Sequence, residues 1–322
     1  MLKSIIISSI SVILLLSEAT LLFAQKYPDR PITLVIPMAP GDGLDIAARL
    51  MGEELSKLLK IPIVPLNKPG AGATVGTDLV VKAKKDGYTL LFTNSASTVI
   101  ARVLQPETVP YDPEKDLTPL GMSAVWPMVV VSRSSNPYNH FKEMVEYGRK
   151  NPGKIRCGMA GVMSISDFNV RMLKSLTGLE MTVVPFKGAS PAVTAILGGH
   201  VDVVCVSLTM FLSHLRSGEV KGMVVSKSFP EFPEIPTLEQ LGYKQDLIHV
   251  WATFYAPAGV PSEVKEALVP AIEKVVREPS LSTKLAEMGI YQGYESPQSL
   301  AVKIRDESRM IEEMAKKFGM IK

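Results

Sequence analysis

The chain has 322 residues, 46% of them hydrophobic and 21% charged, with a formal net charge of +3. That length is too great for one small core and sufficient for two lobes. The mild basic excess is spread along the sequence without a basic run, which argues against nucleic-acid binding.

The first residues read as a secretory leader. Lys3 supplies the positive start, Ile5 to Leu16 is apolar apart from Ser8, Ser9 and Ser11, and small residues follow at Ala19 and Ala24. The run falls short of the ~20 residues that span a bilayer. The expectation is therefore a signal peptide over residues 1–24, cleaved near Ala24, and a mature chain released into the periplasm. Removing Lys3 and Glu18 with the leader leaves the net charge unchanged. Cys157 and Cys205 are the only cysteines. An oxidising compartment permits a disulfide between them, but each ends an apolar run, as buried free thiols would. No histidine stands at ligand spacing from either, so no metal site is expected.

The predicted elements alternate. Pro31 to Pro37 is a β-branched strand, and Asp45 to Leu59 repeats apolar residues at helical spacing. Ile61 to Leu66, Val75 to Lys84 and Tyr88 to Thr93 read as strand, helix and strand. A proline-rich connection from Pro106 to Pro119 leads to Met128–Val131. Alternation then resumes: helix at Phe141–Lys150, strand at Ile155–Met159, helix at Ser166–Leu176, strand at Met181–Val184, helix at Pro191–Leu197, strand at Val201–Val206. Met223–Val225 closes this block. The tail holds a strand at Trp251–Tyr255 and helices at Pro261–Arg277, Leu281–Met288 and Pro297–Lys317. Such alternation implies an α/β fold with parallel pairing. The organisation expected is a first lobe of residues 25–122 plus 227–322 and a second of 123–226, joined by two crossing segments that form a hinge.

Two glycine-rich turns carry the chemistry. Pro40-Gly41-Asp42-Gly43 and Lys68-Pro69-Gly70-Ala71-Gly72 each follow a strand and open a helix. Backbone N–H groups at the positive end of a helix suit a carboxylate or phosphate. Asp45 is placed to cap the first helix. Asp42 sits oddly beside an anion site. The second turn nearly matches a dinucleotide fingerprint, but G-x-G-x-x-x-G is one residue too long and the acidic residue after the next strand is missing. Thr93, Asn94, Ser95 and Ser97, and Ser164 with Ser166, are hydroxyls and amides at strand ends, equally suited to capping a helix or touching a ligand. Lys187 is a candidate counter-ion. No nucleophile elbow or triad spacing is present, so binding without catalysis or a cofactor is expected.

At these residues the chain resembles the solute-binding proteins of tripartite tricarboxylate transporters, the TctC or Bug family. Pro40-Gly41-Asp42-Gly43-Leu44-Asp45 is similar to P-G-G-G-T-D, Asn67-Lys68-Pro69-Gly70-Ala71-Gly72 to N-R-P-G-A-G, and Asp86-Gly87-Tyr88-Thr89-Leu90 to D-G-Y-T-L. Val184-Pro185-Phe186-Lys187-Gly188 resembles V-P-Y-K-G, and Ala256-Pro257-Ala258-Gly259-Val260-Pro261 also fits. The resemblance implies a periplasmic-binding-protein fold of the type II, flytrap kind. It also implies capture of a small organic carboxylate for membrane transporter subunits; the sequence itself gives no sign of an oligomer, and a monomer is expected. An exported carboxylate sensor and a periplasmic enzyme are the alternatives. Carried over, the ligand-binding residues are Ala39, Pro40, Gly41, Asp42 and Gly43, with Gly72, Ala73, Thr74, Thr93 and Ser95 from the first lobe. Ala160, Gly161, Met163, Ser164, Lys187 and Ser207 come from the second. Asp42, Leu44, Met163 and Val206 depart from the family pattern, which implies a less polar pocket and a ligand other than citrate.

Overall fold

The computed structural model describes residues 27–322, so the leader expected at residues 1–24 lies outside the described residues. Its strands, and its helices of eight residues or more, follow one another in this order. The chain runs β1 (Ile32–Ile36), α1 (Gly43–Leu59), β2 (Ile63–Asn67), α2 (Thr74–Val81), β3 (Thr89–Asn94) and β4 (Leu117–Trp126). It continues through β5 (Met128–Arg133), α3 (Phe141–Lys150), β6 (Ile155–Met159), α4 (Ile165–Thr177), β7 (Met181–Pro185), α5 (Ala189–Leu197), β8 (Val203–Ser207) and β9 (Val220–Val225). Last come β10 (Val250–Pro257), α6 (Ser262–Val276), α7 (Pro279–Ala286), β11 (Tyr291–Glu295) and α8 (Pro297–Lys317). No described helix is long and apolar enough to cross a membrane.

Two sheets result, ordered β2-β1-β3-β10-β4-β11 and β7-β6-β8-β5-β9. Each is built on the same plan. Three strands pair in parallel, β1 with β2 and β3 in one sheet and β6 with β7 and β8 in the other. An antiparallel strand adjoining a crossing between the lobes then lies against the third: β10, just after the return, on β3, and β5, just after Pro127, on β8. The remaining partners, β4, β11 and β9, also pair antiparallel. Parallel pairing, expected throughout, therefore holds only for the βαβ units.

The proline-rich connection conceals β4, which the sequence reading missed. Pro119 lies inside it opposite Tyr255, where a register shift absorbs the missing N–H. β4 stays in the first sheet as far as Trp126, beyond residue 122. Only Pro127 separates it from β5, and the return crosses over residues 226–249. The crossings are tied together: Leu208 N–H donates to Pro127 O at 2.8 Å, Ser226 N–H to Met128 O at 2.8 Å, and Met128 N–H to Ser226 Oγ at 2.8 Å.

Apolar residues fill each lobe. Leu34, Ile36, Phe92 and Phe254 are fully buried under α1, with the two rings packed edge to face at 4.7 Å. Cys157, Met159, Val203 and Cys205 face α3 and α4 in the second lobe. Both cysteines are free thiols. Cys157 lies opposite Val203 and Cys205 opposite Met159, so the pair sits diagonally across two neighbouring strands. A further cluster joins the lobes: Phe168 and Met172 of α4 pack with Val99, Leu104, Trp251 and Ile311. Within it the buried Asn169 side chain donates to Ile248 O at 2.8 Å and accepts from Ile248 N–H at 2.9 Å.

Candidate functional site

In open α/β sheets, ligands lie beyond the carboxyl ends of the strands, and both glycine turns stand there. The first turn is held by two carboxylates with separate roles. Asp42, not Asp45, is the N-cap of α1; its Oδ1 accepts the Leu44 N–H at 2.8 Å. The charge that sat oddly beside an anion site is thus engaged with the helix itself. Asp45 lies in the first turn of α1 and is buried. It accepts from Gly41 N–H at 2.9 Å, Arg49 Nε at 2.9 Å and Asn67 Nδ2 at 2.8 Å. Burial alone would raise its pKa, but these donors and the Arg49 charge outweigh it and hold the carboxyl below the usual range. Gly41 (φ +84) therefore has its N–H engaged internally. Gly43 heads the helix with its N–H facing outward, without an acceptor among the described residues.

The second turn is backbone of unusual conformation. Gly70, Ala71, Gly72 and Ala73 all have positive φ (140, 44, 61 and 78°), a costly arrangement for the two alanines. Thr74 follows as the first residue of α2. The last glycine of the near-fingerprint serves packing: a β-carbon on Gly76 would lie 2.7 Å from Lys68 O and 2.8 Å from Pro37 Cβ. Thr93 and Ser95 are buried, with their hydroxyls engaged inside lobe one. Thr93 pairs with Ser97 at 2.8 Å, and Ser95 Oγ accepts Trp251 N–H at 3.2 Å.

The second lobe repeats the first turn's construction. Ser164 caps α4, accepting Asp167 N–H at 3.2 Å and donating to Gly161 O at 2.7 Å. Asp167 is buried, accepts Met163 N–H at 3.0 Å and pairs with Arg171 Nε at 2.7 Å. Met163 is held at φ +59 and Gly161 at φ +115. Ala160 N–H is engaged by Ser166 Oγ at 3.0 Å. Ser207, at the end of β8, shares a hydrogen bond with Thr209 Oγ1 at 3.0 Å. Lys187 stands exposed in the turn after β7 and joins no ion pair among the described residues. The residues expected from lobe two thus gather at the ends of β6, β7 and β8.

Two of the departures from the family pattern are buried. Leu44 and Val206 are 3% and 1% exposed and sit in the cores of their lobes. Neither side chain is exposed, so neither offers a surface to a ligand. The sequence reading passed over Asp167 and Arg171, although the repeat of Asp-x-x-x-Arg at Asp45–Arg49 and Asp167–Arg171 marks them.

Comparison with known proteins agrees with this architecture. The family described as the tripartite tricarboxylate transporter family receptor, TctC, matches residues 47–320. A relative in Pseudomonas sp., encoded in the tcbD-tcbE intergenic region, is 31% identical over 88% of this chain and 85% of its own length. A Rhodopseudomonas palustris protein solved with adipate is 28% identical at TM-score 0.76, covering 91% of this chain and 98% of that one. MatC from Rhodopseudomonas palustris, solved with bound malate, is 29% identical at TM-score 0.71, covering 89% and 99%. With two matching α/β sheets and this likeness over nearly all its length, the chain belongs to the TctC family of tripartite tricarboxylate transporter receptors.

Proposed function

We propose that the chain is a periplasmic solute-binding protein that captures a small organic carboxylate between its lobes, without turnover, and delivers it to tripartite membrane transporter subunits. The observation that carries this reading is the pair of helix N-termini, α1 and α4, each braced by a buried aspartate and set at the carboxyl ends of its sheet. The first lobe contributes Ala39 to Gly43 and Gly72 to Thr74. Thr93 and Ser95 support that wall from within. The second contributes Ala160, Gly161, Met163, Ser164, Lys187 and Ser207. Three or four charge-assisted hydrogen bonds at ~1.5–3 kcal/mol each give roughly 5–12 kcal/mol before ordering costs, which comes near the ~8 kcal/mol of micromolar binding without a dedicated cationic cage.

The solved relatives bind malate and adipate, which supports a dicarboxylate here; the further proposal of a less polar acid than citrate, monocarboxylates included, rests on Met163 in the second lobe's turn. Calorimetric titration of the mature protein with adipate, malate and citrate tests this. Saturable binding of adipate or malate, weakened at least 100-fold in Gly43→Leu at unchanged circular dichroism, is expected. Citrate binding tighter than either, or unchanged affinity in the variant, would overturn the ligand class or the site.

A further inference from the structure

Trp126 is the last residue of β4 and immediately precedes Pro127, the one-residue crossing between the lobes. Its side chain is half-buried, with one side packed on the apolar cluster beneath α1. Its Nε1 would lie 3.5 Å from a β-carbon placed on Gly43. The indole thus reaches from the crossing back to the first glycine turn, along the edge where β1, β3 and β4 end. A β-carbon on Gly41, two residues earlier, would meet nothing within 4 Å, so the turn itself is open at that point. The other tryptophan, Trp251, is fully buried and donates its Nε1–H to Glu307 Oε2 at 2.8 Å. The Trp126 N–H has no acceptor among the described residues. From the second lobe, Ser207 comes close to the same place, because Leu208 N–H is bonded to Pro127 O.

We propose that Trp126 is a specificity-determining residue of this cleft, offering a flat aromatic surface to the body of a carboxylate whose charged end sits at the α1 N-terminus. The inference rests on the carboxylate-receptor reading and narrows it to acids with a planar, unsaturated body. An indole face favours a flat ring over a puckered one of equal size, because offset stacking needs two planes. The open N–H adds a donor at the ring's edge. Gly43 belongs to the same device, since a side chain there would cover the indole nitrogen.

Benzoate and cyclohexanecarboxylate carry the same charge and carbon count but differ in planarity, and adipate supplies an acyclic control. Wild type, Trp126→Phe and Trp126→Leu are titrated with all three, with folding monitored by circular dichroism. Benzoate is expected to bind wild type roughly 2- to 10-fold more tightly than cyclohexanecarboxylate. Trp126→Phe should keep the preference, and Trp126→Leu should abolish it. Because there are two tryptophans, adipate should change the emission of Trp251→Phe and leave that of Trp126→Phe unchanged. Equal losses for all three acids in Trp126→Leu would make the indole merely structural and overturn the proposal. So would an unchanged benzoate preference in that variant. If none of the three acids raises the unfolding temperature of wild type, the carboxylate-receptor reading itself fails and this one with it.

Discussion

Asp45 and Asp167 hold equivalent places in the two lobes. Each carboxylate accepts the N–H of the residue four positions before it, Gly41 or Met163, and pairs with the guanidinium four positions after it, Arg49 or Arg171. Both preceding residues have positive φ. The carboxylate is what holds the left-handed turn against the helix, so turn geometry and helix start are one unit in each lobe.

Replacing Asp45 by Asn keeps the shape but turns one acceptor into a donor facing Gly41 N–H, Asn67 or Arg49. A loss of about 2 kcal/mol is expected, chiefly from the buried contacts, since Arg49 is half in solvent. Asp167→Asn should behave alike. Urea unfolding measures the stability, and adipate titration should show a weaker complex in both variants.

Asn169 joins α4 to the returning crossing through both peptide groups of Ile248. Asn169→Ala strands a buried donor and a buried acceptor, and a cost of about 3 kcal/mol is expected. The lobes should also separate more readily, read as a larger radius of gyration without ligand in small-angle scattering. An unchanged radius would mean that the apolar contacts of Phe168 and Met172 suffice to hold them.

His249 lies just before β10 with its Nε2 buried and unpartnered. Burial first, then the charges of Lys303 and Lys227, push its pKa down to about 3. The unfolded chain binds a proton near the ordinary value of ~6.5, whereas the folded chain does not. Its contribution is present above the unfolded value and is lost as pH falls towards 3. Burial raises the pKa of Glu307 and gives the opposite sign, but Glu307 is shared with any His249 variant. The melting temperature of wild type should therefore drop more between about pH 7 and about pH 4 than that of His249→Phe. Parallel pH profiles would refute the assignment.

Burial pushes the Cys157 thiol up to about 12 and raises that of Cys205 as well. A thiol reagent at neutral pH should find no reactive cysteine in the folded protein and two after denaturation, with or without reductant.

Much of this was legible in the residues because local signals and the tertiary fold agree. The β-branched run at β1, the helical spacing of α1 and the turn at Asp86-Gly87 each predict what the structure shows. The glycine turns stood out for the same reason, since few other residues tolerate that backbone. β4 was hidden because Pro113 and Pro119 read as breakers, and only the bulge opposite Tyr255 makes Pro119 compatible with pairing. The cap was assigned to Asp45 instead of Asp42 because either carboxylate stands near the helix start. Which one points back along the axis depends on Arg49 and Asn67, and Asn67 is brought in only by β2. Leu44 looked like a pocket residue because its helix position can be read only after α1 is docked on the sheet.

The insertion of β10 between β3 and β4 also imposes an order of events. Every strand of the second sheet comes from the uninterrupted stretch 128–225, whereas the first sheet lacks a central strand until residues 250–257 have emerged. During vectorial emergence from the N-terminus the inner lobe can close its core first, while the earlier-made half stays open, with the edges of β3 and β4 unpaired. That waiting interval is where the chain is most exposed to aggregation or to holding chaperones. A truncation ending before β10 should keep the second lobe folded and leave the first one unformed.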